Sequence, residues 1–126
     1  MEPRAIVIVE DNEPIAGLIQ EVLNEVPGYG AVTVPDGRQA LAVIAAVRAG
    51  LVILDVDLPG LDGFALYDRL RARPATAGIP ILFMSATAHE PELAARDIRD
   101  YLRKPFDLDD LLARVRAIFE QGPPPA

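Results

Sequence analysis

Short apolar runs alternate, five times along this chain, with stretches whose apolar residues recur every three or four positions. Ala5 to Val9 has the length and β-branched richness of a strand buried on both faces. Asn12 is placed to cap the helix that follows, with Pro14 near its first position and Ile15, Leu18, Ile19, Val22 and Leu23 as its apolar residues. Pro27 and Gly28 end it. Ala31 to Val34 reads as a short strand, and Asp36 as the cap of a helix packed through Leu41, Ile44 and Val47 and closed by Gly50. Leu51 to Leu54 is the next buried run, and after a Pro59-Gly60 turn, Asp62 and Gly63 open a helix carrying Phe64, Leu66, Tyr67 and Leu70. Ile79 to Met84 is a fourth strand entered at Pro80, Glu90 to Ile98 a weaker helix, and Tyr101-Leu102 a short strand. Asp107 caps a final helix to Phe119, packed through Leu108, Leu111, Leu112, Val115 and Ile118. Strands buried on both faces and joined by helices require a parallel sheet covered on both sides. Right-handed crossovers and short loops make it doubly wound.

A chain of 126 residues, 51% hydrophobic and 25% charged, has the composition of one globular domain, with no internal repeat. Residues 1-120 read as that domain and 121-126 as a flexible Pro-rich tail. The start, Met1-Glu2-Pro3-Arg4, lacks the basic and small-residue features of a signal peptide, and no apolar run reaches membrane-span length. Cysteine is absent, which removes disulfides and thiolate metal sites. A cytoplasmic protein without membrane contact is the expectation. The net charge of −7 argues against direct nucleic-acid binding, which needs a basic face.

In such sheets ligands bind at the carboxyl ends of the strands. Glu10 and Asp11 follow the first apolar run, Asp55 closes the third, Ser85 the fourth, and Lys104 follows the fifth. Carboxylates packed at one edge repel unless a cation neutralises them, and a few hard oxygen ligands suit Mg²⁺ and a phosphate. Asp55 is central, and a carboxylate there can accept a phosphoryl group as an acyl phosphate. Ser85, followed by the small Ala86, offers a hydroxyl to a phosphoryl oxygen.

The sequence resembles the receiver domains of two-component response regulators, of the chemotaxis-regulator type, over residues 4 to 120. The resemblance rests on Val9-Glu10-Asp11-Asn12, on Leu54-Asp55-Val56-Asp57-Leu58-Pro59-Gly60-Leu61-Asp62-Gly63, on Met84-Ser85-Ala86, and on Tyr101-Leu102-Arg103-Lys104-Pro105-Phe106. It implies a flavodoxin-like sheet of strand order 2-1-3-4-5 and an Asp55 that takes phosphate from a histidine kinase or phosphotransfer protein. It implies Mg²⁺ held by Asp11, Asp55 and the Asp57 backbone carbonyl, with Glu10 acting through water. Lys104 would bridge to the phosphate, Pro105 would follow a cis bond, Ser85 and Ala86 would face the phosphoryl group, and Tyr101 would swing inward behind it. The resemblance implies a switch rather than an enzyme with a separate substrate, one that would catalyse its own phosphorylation and dephosphorylation. It would act on an unidentified protein target or as a phosphorelay intermediate, as a monomer or a phosphorylation-dependent dimer.

Two features depart from that pattern or extend it. The chain is a few residues short between Ser85 and Lys104, and Asp97-Ile98-Arg99-Asp100 replaces the small Gly-Ala step before the fifth strand. The fourth helix is therefore expected to be short, displaced or poorly ordered. Asp57, two residues past Asp55, and Thr87 are assigned to tuning acyl-phosphate lifetime, whereas His89 reads as a surface residue without a role. Two other readings stand beside the receiver. Asp55-Val56-Asp57 also matches the Asp-x-Asp of haloacid dehalogenase-type phosphatases, against which stand Leu58-Pro59, the upstream acidic pair and the short chain. A degenerate receiver would bind partners without phosphate. No second domain follows residue 120 in this sequence, so action through protein contact is expected, although the proline run equally reads as a linker.

Overall fold

The apolar runs ending at Val9, Leu54 and Met84 form the centre of the molecule, buried on both faces, and the other two lie at the edges of the sheet. The computed structural model describes residues 4–58, 61–87 and 89–121. The elements are β1 (Arg4–Val9), α1 (Glu13–Asn24), β2 (Tyr29–Val34), α2 (Gly37–Val47) and β3 (Leu51–Asp55), then α3 (Gly63–Ala72), β4 (Ile81–Ser85), α4 (Glu90–Ala95), β5 (Tyr101–Arg103) and α5 (Leu108–Gln121). The five strands make one parallel sheet in the order β2-β1-β3-β4-β5. The expected Pro59-Gly60 turn and the tail beyond Gln121 lie outside the described residues.

Alternation along each strand divides the core. Val7, Val9, Val52, Leu54 and Phe83 face α2, α3 and Leu93 of α4. Ile6, Ile8, Leu51, Ile53, Leu82 and Met84 face α1 and α5. All five residues of β3 and of β4 are buried, as central strands require.

Three expected caps are present: Asn12 accepts from the Ile15 N–H at 3.1 Å, Asp36 from Arg38 at 2.8 Å and Asp62 from Ala65 at 2.9 Å. Elsewhere the ends move. β2 starts two residues early at Tyr29, whose ring packs on Phe119 at 5.2 Å. β4 starts at Ile81, because Pro80 has no N–H to give and only its carbonyl joins the sheet, taking the Val52 N–H at 3.0 Å. α2 is closed by Arg48 in the left-handed region (φ 52°), not by Gly50, and Val47 is 39% exposed rather than part of the packed face. α4 is short, as expected, and shorter than Glu90 to Ile98. It stops at Ala95, Asp97 turns to φ 53°, and the Ile98 N–H returns to the Leu93 carbonyl at 2.9 Å.

Candidate functional site

The carboxyl ends of β1, β3, β4 and β5 converge on one pocket. Glu10, just past β1, is fixed by its own N–H on the Val34 carbonyl at 3.2 Å and is 2% exposed. Asp55 ends β3 and is 3% exposed. Its register is held by the Val56 N–H on the Met84 carbonyl at 2.9 Å, and the start of α3 presses against it through the Gly63 N–H on Val56 at 3.0 Å. Asp11 is exposed at the mouth. One carboxylate oxygen each from Glu10, Asp11 and Asp55 lie within 4.8 Å of one another.

Lys104 is delivered by β5, whose end is tied to β4 by the Lys104 N–H on the Ser85 carbonyl at 2.8 Å. Its ammonium donates to Glu10 Oε2 at 2.8 Å and Asp55 Oδ2 at 3.2 Å. Burial raises the pKa of Glu10, and the Asp55 charge adds to this against the hydrogen bonds from Lys104 and Asn12. Burial acts to lower Lys104, but its hydrogen bond to Glu10 and the charges of Asp55 and Glu10 outweigh it and hold Lys104 above its ordinary value. The remaining oxygen of Asp55 accepts the Asp57 N–H at 3.0 Å, and Glu10 Oε1 accepts the Asn12 N–H at 3.2 Å. Two of the three clustered carboxylates thus hold one lysine, and Asp11 lies beside them. Hard oxygen donors in that number, one of them open to solvent, fit a divalent cation such as Mg²⁺ that keeps part of its water.

The expected switch residues lie beside this pocket. Ser85 is buried, and its hydroxyl sits 2.9 Å from both Asp57 Oδ2 and the Thr87 carbonyl, while accepting the Thr87 N–H at 3.1 Å. Tyr101 is half-buried and donates its hydroxyl to the Thr87 carbonyl at 3.1 Å. The Lys104-Pro105 bond is cis. Ala86 is exposed and shares with Leu18, Lys104 and Phe106 an apolar groove of about 330 Å³.

His89 is the residue that the sequence did not reveal. Its Nε2 lies 2.8 Å from Thr87 Oγ1 and 3.3 Å from Asp57 Oδ1, and its ring meets the Phe64 ring at 5.5 Å. No local pattern announces this, since Asp57 lies 32 residues away on another loop.

Known proteins are similar to this chain in sequence and fold. The family model described as response regulator receiver domain matches residues 6–116. The transcriptional regulatory protein TcrA of Mycobacterium tuberculosis is 41% identical over 95% of this chain and 47% of its own length. The master transcriptional regulator RpaA of Synechocystis is 36% identical over 92% of this chain and 49% of its own. The chain spans about half the length of these curated relatives. Among solved structures, the chemotaxis response regulator CheY4 of Vibrio cholerae superposes with a TM-score of 0.83 at 27% identity, covering 92% of this chain and 98% of that one. The phosphorylated cyanobacterial phytochrome response regulator RcpA gives a TM-score of 0.77 at 30% identity, over 94% and 92%. The strand order, the acidic cluster and a family match over residues 6–116 agree, and the chain belongs to the receiver domains of two-component response regulators.

Proposed function

We propose that this domain accepts a phosphoryl group on Asp55 from a histidine kinase or phosphotransfer protein and switches the binding of a protein target. The observation that carries this reading is the pairing of buried Asp55 and Glu10 with Lys104, next to exposed Asp11. An Asp55 oxygen attacks the phosphorus of the donor's phosphohistidine. The P–N bond breaks as the P–O bond forms, and the imidazole leaves with a proton. Water later cleaves the acyl phosphate to Asp55 and inorganic phosphate. The domain thus catalyses its own modification and its reversal. Mg²⁺ would be held by Asp11, Asp55, the Asp57 backbone carbonyl and, through water, Glu10; it supplies positive charge to the phosphoryl oxygens.

Lys104 turns part of its ammonium from Asp55 to the new phosphoryl oxygens. Ser85 and the backbone at Ala86 meet another oxygen, and Tyr101 follows. Asp57 and Thr87, which flank the Ser85 hydroxyl, set the lifetime of the acyl phosphate; an unchanged hydrolysis rate in Asp57→Asn would remove that role. Leu18, 50% exposed beside Lys104, gives the phosphodonor an apolar ledge. Among the described residues no helix is long and apolar enough to cross a membrane.

Incubation with acetyl phosphate and Mg²⁺, read by intact mass, tests the proposal. One added phosphoryl group is expected, and none in Asp55→Asn. No adduct with acetyl phosphate or with beryllofluoride would instead support a phosphate-independent interaction module.

A further inference from the structure

We propose that His89 is a positioning residue that passes the state of the Asp55 site to the face between α3 and α4. The inference rests on the phosphoacceptor reading and extends it to a surface. Asp57 divides its carboxylate between two partners: Oδ2 lies 2.9 Å from the Ser85 hydroxyl and Oδ1 lies 3.3 Å from His89 Nε2. The same Nε2 reaches Thr87 Oγ1 at 2.8 Å, so the imidazole is set by the two loops that border the pocket.

His89 directly precedes α4, and its carbonyl accepts the Leu93 N–H at 3.0 Å. Its side chain makes no capping bond to the helix. This end of α4 is held by burial of Leu93 and by the contacts of His89 with Thr87, with Asp57 and, edge-on at 73°, with Phe64 of α3. The far end is anchored separately. Arg96 lies 4.8 Å over Phe64 and clasps Asp68 through two nitrogens, each at 2.9 Å. A six-residue helix is thus held to α3 at both ends, and among the described residues its first end is the one joined to the phosphorylation pocket, through Asp57.

A phosphoryl oxygen at Asp55 takes the Ser85 hydroxyl away from Asp57, and its negative charge repels the Asp57 carboxylate. Asp57 then moves relative to His89, and the first turn of α4 loosens while Arg96 and Asp68 act as a pivot. The crevice between α3 and α4, about 690 Å³ and lined by Asp57, Phe64, Asp68, His89, Glu92 and Arg96, changes shape with the site.

Residue-resolved hydrogen exchange over residues 90–96 tests this, with and without Mg²⁺ and beryllofluoride as the phosphoryl mimic, and fluorine NMR reports the adduct. In the wild type the mimic should speed exchange of the Leu93 amide about tenfold. Asp57→Ala should do so without it. His89→Ala should exchange fast already and respond little, whereas His89→Gln, which keeps a nitrogen at similar reach, should retain the response. Circular dichroism checks that each variant is folded. Equal responses in wild type and His89→Ala, or an adduct that leaves Leu93 unchanged, would overturn the inference. Absence of an adduct would count against the phosphoacceptor reading instead, and the Asp57→Ala comparison, which needs none, still decides the coupling: unchanged exchange there overturns it.

Discussion

Gly63 has no side chain because none fits: a Cβ there would stand 2.7 Å from both the Asp55 carbonyl oxygen and the Cα of Val56. Both obstacles are backbone at the pocket wall, so neither can swing aside. Gly63→Ala should cost about 1–3 kcal/mol of stability by urea unfolding, as overpacking does. Gly17 is the counterexample, since a Cβ there meets nothing within 4 Å, and Gly17→Ala in the middle of α1 should add about 0.5–1 kcal/mol. At this scale the sequence was legible wherever chemistry follows from a strand end. Glu10, Asp55, Ser85 and Lys104 each close or follow an apolar run, and the parallel sheet brings such ends together. The sequence pointed to Asp57, but the role of His89 and its contact with the Asp57 carboxylate escaped because that contact joins two loops, 32 residues apart.

The helices show what an element owes to tertiary contacts. α4 was legible as a weak helix but not its end, because Arg96 leaves the helical path to clasp Asp68, an interaction 28 residues distant in sequence. Periodicity carries no information about that. Likewise Val47 keeps helical spacing in α2 yet points to solvent, since spacing places a residue on a face without saying where the packed face ends. The Arg96–Asp68 clasp also gives α4 a pH dependence. The hydrogen bond from Arg96 holds the Asp68 carboxyl below its ordinary range. A depressed carboxylate pKa means that the folded state resists protonation more than the unfolded chain does. Its contribution is complete above the unfolded value of about 3.9 and is lost as pH falls through the lower folded value. Asp68 is 54% exposed, so the effect is modest, about 0.2–1 kcal/mol. The stability difference between wild type and Asp68→Asn, measured by chemical denaturation, should be present at neutral pH and vanish in strong acid. A difference that persists there would assign the effect to packing of Arg96 on Phe64 rather than to charge.

Across the whole molecule, the site and the fold share their energetics. Two buried carboxylates, a third at the mouth and a single lysine leave excess negative charge at the end of the sheet, which a divalent cation would neutralise. With free Mg²⁺ a hundredfold above its Kd, folding should gain about 2.7 kcal/mol, and Asp11→Ala should lose most of that gain in denaturation curves with and without the ion. The architecture itself was the most legible level, because five apolar runs and four crossovers admit few arrangements. That strand order also has a temporal side. β3 joins the free edge of β1, β4 that of β3, and β5 that of β4, so beyond β2 each strand is laid on an edge already formed. A chain emerging from the ribosome can bring Glu10 and Asp55 together well before it presents Lys104. β5 then brings the counter-ion of the site, and the arrival of Lys104 relieves the charge gathered at the ends of β1 and β3.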